Sequence, residues 1–158
     1  MIRVEVKGDK ETAATFKRAA QKAPAAMLTA MRRIVLILER HVKKEKLTGQ
    51  VLNVRTGKLR SSITHRVEQS GNETTGRVGT PVEYARIWEL GGTIPAHTIV
   101  PKTAKVLRFV IQGRVVFCKR VEQPSRRVGA RPYLKPSVEE NRQRILRELG
   151  DAYKALIQ

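Results

Sequence analysis

The sequence is poor in thiols, aspartates and aromatic rings, and each shortage removes a class of function. A single cysteine, Cys118, excludes a disulfide within the chain and any cysteine-based zinc site. The fourteen Asp plus Glu include only two aspartates, Asp9 and Asp151, near opposite ends and both suited to helix positions. A metal-dependent nuclease or phosphotransferase gathers several carboxylates around its ion, so this chain would have to build such a centre mostly from glutamates. His41, His65 and His97 stand isolated, without paired ligand spacing, and no metal or cofactor is expected. Cys118 lies in an apolar run, where a thiol behaves as a small hydrophobe, and no Cys–His or Ser–His pairing follows from the spacing. Gly57-Lys58 and Gly91-Gly92-Thr93 lack the phosphate-loop pattern and read as turns. No run approaches the roughly 18 to 20 apolar residues that cross a bilayer. Met1-Ile2-Arg3-Val4-Glu5 has no apolar signal region, so the chain is expected to be made in a cytoplasm and to have no membrane partner. An enzyme is the least supported class, and no catalytic residue is assigned.

Positive charge is what the sequence has in excess. Thirty-two Lys plus Arg against fourteen acids give a formal net charge of +18 over 158 residues, and the partner to look for is anionic. The excess is uneven: between 102 and 135 ten basic residues face one acid, Glu122. The length fits a single domain, 1–158, and the basic stretch reads as a β-hairpin arm at about 94–132.

Hydrophobic periodicity predicts an α+β fold, with a small mixed or antiparallel sheet and hairpins packed on a long N-terminal helix and a C-terminal helix. Ile2 to Lys7 alternates as a strand, and Asp9 reads as the cap of a first helix running to about Ala23. Pro24 implies a break or kink. From Ala25 to about Lys46 an apolar stripe of Met27, Met31, Ile34, Val35, Leu38 and Val42 marks the longer second helix. Lys43, Lys44 and Lys46 read as its solvated end, favourable to the helix dipole, and Gly49 as its stop. Thr64 to Glu68 and Thr75 to Thr80 form a hairpin about Gly71-Asn72, and Pro81 starts a short helix to Leu90. Tyr84, Ile87 and Trp88 fall on one side of that helix and read as core. Residues 91–105 are expected to be an extended loop. Val106 to Ile111 and Val115 to Val121 form a second hairpin, and Pro124 to Pro132 a basic connector. The last helix begins near Pro136-Ser137, with Val138, Ile145, Leu149, Ala152 and Leu156 as its stripe and Glu139 and Glu140 in its first turn.

Lys102, Lys105, Arg108, Arg114, Lys119, Arg120, Arg126, Arg127, Arg131 and Lys135 could contact phosphates. No base-reading element accompanies them, and the aromatic residues are too dispersed for a stacking platform. An acidic protein surface is therefore favoured over specific DNA recognition, though charge alone does not separate the two.

Four short runs, in order, carry a resemblance. They are Arg55-Thr56-Gly57-Lys58-Leu59-Arg60-Ser61-Ser62-Ile63, Val78-Gly79-Thr80, Tyr84-Ala85-Arg86-Ile87-Trp88-Glu89-Leu90-Gly91-Gly92 and Ala130-Arg131-Pro132-Tyr133-Leu134-Lys135-Pro136. Behind a long amphipathic helix, this series resembles the tail-component and neck family of long-tailed double-stranded-DNA phages, over most of the chain from about residue 25. The family's Glu-Phe-Gly-Thr-like corner here reads Glu89-Leu90-Gly91-Gly92-Thr93, and its Pro-Phe-Leu reads Pro132-Tyr133-Leu134. The resemblance implies a structural virion protein of tail completion or head-to-tail joining, ring-forming around the DNA passage, sixfold rather than twelvefold. It also implies neck, connector and tail-terminator partners, and allows non-specific contact with packaged DNA. Thr56, Gly57, Leu59, Arg60, Tyr84, Ala85, Trp88, Glu89, Gly91, Arg131, Pro132, Tyr133 and Leu134 would define the fold. A basic accessory DNA-binding protein and a minor tail protein needed for tail assembly are the alternatives.

Overall fold

The computed structural model describes residues 9–54 and 56–157, so the expected strand Ile2–Lys7, the capping side chain of Asp9 and Arg55 lie outside what is described. The chain divides into two compact units, one of the residues up to Ala85 together with Pro132 onward, the other of Arg86–Arg131. The architecture is α+β, with small antiparallel sheets, a long N-terminal helix and a C-terminal helix.

Helix α1 (Asp9–His41) is the axis of the first unit, and it runs unbroken through Pro24. The expected boundary there is absent. A proline deletes one amide donor and costs about 3 kcal/mol in a helix interior, yet the helix is anchored beyond it by buried Ala30, Ile34, Val35 and Leu38. An alanine-rich stretch before it, including Ala13, Ala14, Ala19, Ala20 and Ala23, favours helix on its own account. The helix continues into a wider π-helical segment (Val42–Gln50). Its last residues leave helical geometry, with Gly49 at φ 117°, while the amides of Val51 and Leu52 both donate to Lys46 O at 3.2 and 3.3 Å.

Gly57, at φ 71°, precedes the short helix α2 (Lys58–Ser62). Strands β1 (Thr64–Ser70) and β2 (Glu73–Gly79) pair antiparallel from Thr64↔Gly79 to Ser70↔Glu73 and lie on α1, as the turn chemistry predicts. Gly76 sits close against the helix, where an added Cβ would be 2.6 Å from Met31 Sδ and 2.7 Å from Val35 Cγ1. Ala85 begins the next helix, α3 (Ala85–Leu90), four residues after the expected start at Pro81, because Val82 N donates to the Thr80 hydroxyl and only then does Ala85 N find Val82 O.

The final helix is two, α4 (Lys135–Glu140) and α5 (Arg142–Ile157), parted at Asn141. Ser137 Oγ donates to Tyr133 O at 2.6 Å and Asn141 Nδ2 to Ser137 O at 2.8 Å, side-chain bonds that compete with the helix ladder. Ser137 takes the buried place, in line with buried Asn141 and half-buried Ile145 at spacings of four, and Val138 is 49% exposed, against expectation. Ile145, Leu149, Ala152 and Leu156 are half-buried on α5, which packs against α1. Val42, Leu47, Leu52, Ile63, Ala85 and Tyr133 complete this core, each fully buried large side chain worth about 1.5 to 3 kcal/mol.

The second unit is a two-stranded ribbon. Beyond α3 come β3 (Gly92–Ile94), β4 (His97–Ile99), β5 (Leu107–Ile111), β6 (Arg114–Cys118), β7 (Val121–Gln123) and β8 (Arg126–Val128). They pair as nested hairpins, β3 with β8, β4 with β7 and β5 with β6. The register Ile94↔Arg126 continues into His97↔Gln123, so β3–β8 and β4–β7 are one ladder interrupted where Pro95 and Pro124 supply no amide donor. The stretch expected as an extended loop, 91–105, thus contains two strands, and the connector Pro124 to Pro132 contains a third. The predicted tip hairpin is present, turning at Gln112 (φ 49°) and Gly113 (φ 79°), the paired positive dihedrals of a two-residue turn. Its second strand stops at Cys118 rather than Val121, and Cys118 is half-buried, not fully so. Val128 is the one buried hydrophobic residue among the described residues of this unit.

Candidate interaction site

The four motif runs come together in pairs. Within the first unit, Thr56 Oγ1 accepts from Lys58 N at 3.4 Å, Gly57 O accepts from Ser61 N at 2.9 Å, and Ser62 Oγ meets Thr80 Oγ1 at 2.7 Å. That last bond joins the first run to the second and fixes where β1 starts beside the end of β2. Leu59 is half-buried, Arg60 exposed and Ile63 fully enclosed, so apolar anchoring falls chiefly to Ile63.

Within the second unit the third run meets the start of the fourth. Arg131 N donates to Trp88 O at 2.7 Å, and the Arg131 guanidinium lies 5.8 Å from the centroid of the Trp88 ring. This cation–π contact is worth about 0.5 to 1 kcal/mol at an exposed site. Gly91 turns the chain at φ 73°, where a Cβ would sit 3.0 Å from Ala130 N and 3.2 Å from Val128 O. Tyr84, expected in the core with Ile87 and Trp88, is instead 42% exposed, because the buried position of α3 belongs to Ala85, next in sequence and turned the other way. Glu89 is half-buried and engaged. In the first unit Pro132 is exposed, Tyr133 is enclosed, and Leu134 O accepts from Val138 N at 3.2 Å.

Two carboxylates organise the end of α1: Glu39, not singled out in the sequence, and Glu140, which was expected in the first turn of the last helix but is the final residue of α4. Lys46, expected as part of a solvated helix end, is 8% exposed and donates to Glu140 Oε1 at 2.6 Å, while His41 Nε2 lies 2.9 Å from Glu140 Oε2. Lys43 donates to Glu39 Oε1 at 2.5 Å, and His65 Nδ1 meets Glu39 Oε2. His41 and His65 are therefore not isolated; each ties a carboxylate to a second element. His97 Nδ1 lies 3.0 Å from Pro95 O. Hydrogen bonds from Lys46 and then His41 hold the Glu140 carboxyl below its ordinary value of 4.5. Desolvation pulls Glu39 upward, but the bonds from Lys43 and His65 outweigh it and leave this group lowered too. Glu39 and Lys43 sit at i,i+4, a signal visible in sequence. Glu140 and its partners are over ninety residues apart, and no local pattern links them.

The remaining basic candidates are a surface. Lys102, Lys105, Arg108, Arg114, Lys119, Arg120, Arg126, Arg127 and Arg131 all belong to the second unit and all are exposed. That unit carries ten basic residues against two acidic. Arg120 reaches Glu122 at 3.4 Å, an exposed pair of little energetic weight. Arg126 and Arg127 are neighbours on β8 and therefore point to opposite faces of the ribbon. On the tip hairpin the cross-strand pairs Arg108↔Phe117 and Val110↔Val115 share one face, with Phe117 61% and Val110 59% exposed. The ribbon thus offers cations beside uncovered apolar side chains. Lys135, the last basic residue of the stretch, starts α4 in the first unit. Among the described residues, no group of three His, Cys, Asp or Glu could hold a metal ion, and no helix is long and apolar enough to cross a membrane.

Residues 19–154 match the sequence model of the phage virion morphogenesis family. No curated protein and no solved structure matches the chain. That match makes the chain, by class, a phage structural or assembly protein. The match spans most of the chain, and the protein belongs to the phage virion morphogenesis family.

Proposed function

We propose that the chain is a non-catalytic structural protein that completes the tail or joins it to the DNA-filled head, assembling as a ring around the DNA passage. The observation that carries this reading is the basic ribbon of the second unit, whose cations all face solvent on a chain of a virion assembly family. A closed ring needs heterologous interfaces, one face of each subunit binding a different face of the next. Sixfold symmetry is preferred to twelvefold. A ribbon gripping DNA phosphates would slow transit of the genome, so its main partners are acidic surfaces of neck, connector or tail-terminator neighbours.

Electron microscopy of a lysate lacking the gene tests this. Full heads beside finished, separate tails place the protein at the joint. Intact particles remove it from there and favour an accessory DNA-binding protein, which would show salt-sensitive duplex binding by the isolated chain. Missing tails move its action into tail assembly, as a minor tail protein. Charge reversal of the ribbon tests the partner surface, but Arg131 is unsuitable because its side chain lies over Trp88. The informative variant is Lys119→Glu with Arg126→Glu and Arg127→Glu, all exposed, which should abolish joining while the far-ultraviolet circular dichroism stays unchanged. Normal joining by that variant would reject the ribbon as the contact.

A further inference from the structure

Helix α5 carries two apolar stripes side by side. One, through Ile145, Leu149, Ala152 and Leu156, is half-buried on the helix that packs against α1. The second, through Leu146, Gly150, Tyr153 and Ile157, repeats the same coiled-coil spacing of four, three and four. Its large members are 58%, 61% and 51% exposed. Gly150 is the anomaly in it. A glycine inside a helix is less stable than alanine, and a Cβ at Gly150 would meet nothing within 4 Å, so the subunit's own packing does not explain it.

A stripe of similar length on α1 is largely exposed. The seam through half-buried Met27 and buried Ala30 and Ile34 extends towards the N-terminus as Ala23, Ala20, Phe16 and Ala13, in steps of three and four. Residues 10–18 are exposed throughout, Phe16 at 65%. At about 1.5 Å per residue, the stripes from Ala13 to Ala23 and from Leu146 to Ile157 are each roughly 15 to 17 Å long. Their shapes are reciprocal. One sets a single large ring, Phe16, among three alanines, and the other sets a single gap, Gly150, among three large side chains.

We propose that these stripes pair between two copies of the chain, Phe16 of one subunit seated over Gly150 of the next. The proposal rests on the ring reading and supplies it with a subunit interface. Because the two surfaces differ, the contact is head-to-tail and repeats, as a ring requires. Lys10 and Lys17 flank the α1 stripe, and Arg147 and Lys154 flank that of α5. Like charges therefore face each other, and salt strengthens the contact by screening them, whereas it weakens any contact with phosphates.

The test uses the full chain with Cys118→Ser, to which Phe16→Cys and Gly150→Cys are added singly and together. Under mild oxidation the double variant should give a ladder of dimers, trimers and larger species on a non-reducing gel, and neither single variant should. Sedimentation of the chain without added cysteines should show association that grows with salt, and Phe16→Glu should weaken it at least tenfold without loss of helix. Dimers from Gly150→Cys alone would overturn the proposal in favour of a symmetric α5 contact. Association without a ladder, and unaffected by Phe16→Glu, would overturn it while leaving the ring reading intact. A chain monomeric at every salt concentration would overturn it as well, with the ring reading then decided by the lysate microscopy. A single Phe16→Cys adduct to another virion protein in a lysate would show that the stripe serves a different partner, and the pairing of copies would fall.

Discussion

Gly76→Ala measures how tightly the β1–β2 hairpin is seated on the long helix. The new methyl would stand 2.6 Å from Met31 Sδ, 2.7 Å from Val35 Cγ1 and 2.9 Å from Met31 Cγ, where ordinary contacts lie at roughly 3.5 to 4.0 Å. Met31 can turn aside. Val35 is 2% exposed and β-branched, so its rotamer is fixed by the helix and the strand must yield by about an ångström. Overpacking of this kind costs about 1 to 3 kcal/mol, offset by about 0.4 to 1 kcal/mol from the stiffer unfolded chain. The net is a loss of up to about 2.6 kcal/mol, which lowers Tm by up to about 10 °C for a protein of this size. Gly79→Ala in the same strand is the control, since nothing lies within 4 Å of a Cβ there and its backbone is not left-handed. Thermal melts of both, with Met31→Ala added to relieve Gly76→Ala, provide the assay. Equal stability of Gly76→Ala and Gly79→Ala would refute the close seating of strand on helix.

Two further outcomes follow from the geometry. Because the Glu39 and Glu140 carboxyls are held below 4.5 in the folded chain, their ion pairs stabilise it fully above that value and the contribution disappears as pH falls through the lowered ones. Urea midpoints measured from about pH 6 down to pH 3 should therefore decline, and less steeply in Glu140→Gln; an unchanged slope in that variant would remove Glu140 from the acid limb. Gly91→Ala places a methyl 3.0 Å from a backbone nitrogen at φ 73°. It should cost roughly 1 to 3 kcal/mol and accelerate amide exchange of β3 and β8, while an exchange pattern equal to the wild type would show the turn to be tolerant.

Legibility in the sequence followed the range of the interactions. Both tight hairpins were readable because Gly71-Asn72 and Gln112-Gly113 mark the turn and the pairing partners lie a few residues away. The seam of α1 and the stripe of α5 were readable from spacing. Strands β3 and β4 were not, since each is three residues long and its partner lies 22 to 36 residues further on, beyond a proline. Lys46 looked like a solvated helix end because nothing nearby shows that Glu140 will cover it. Asn141 read as one more helical residue, and its break depends on a side-chain bond to Ser137. The motif residues were identified, but their pairing was not: that Ser62 meets Thr80 and Arg131 meets Trp88 is a product of the fold.

The second unit holds its shape with one buried hydrophobic side chain among its described residues and a ladder interrupted where two prolines fall together. A two-stranded ribbon so constituted is only marginally stable in water, and its amides should exchange with solvent long before those of α1. Such a segment responds to whatever it touches: a neighbour that covers Val110 and Phe117 and neutralises the nearby guanidinium groups supplies the core the ribbon lacks. Assembly would then complete the folding of this part of the chain, and the order in which virion components meet would be written into the stability of the arm.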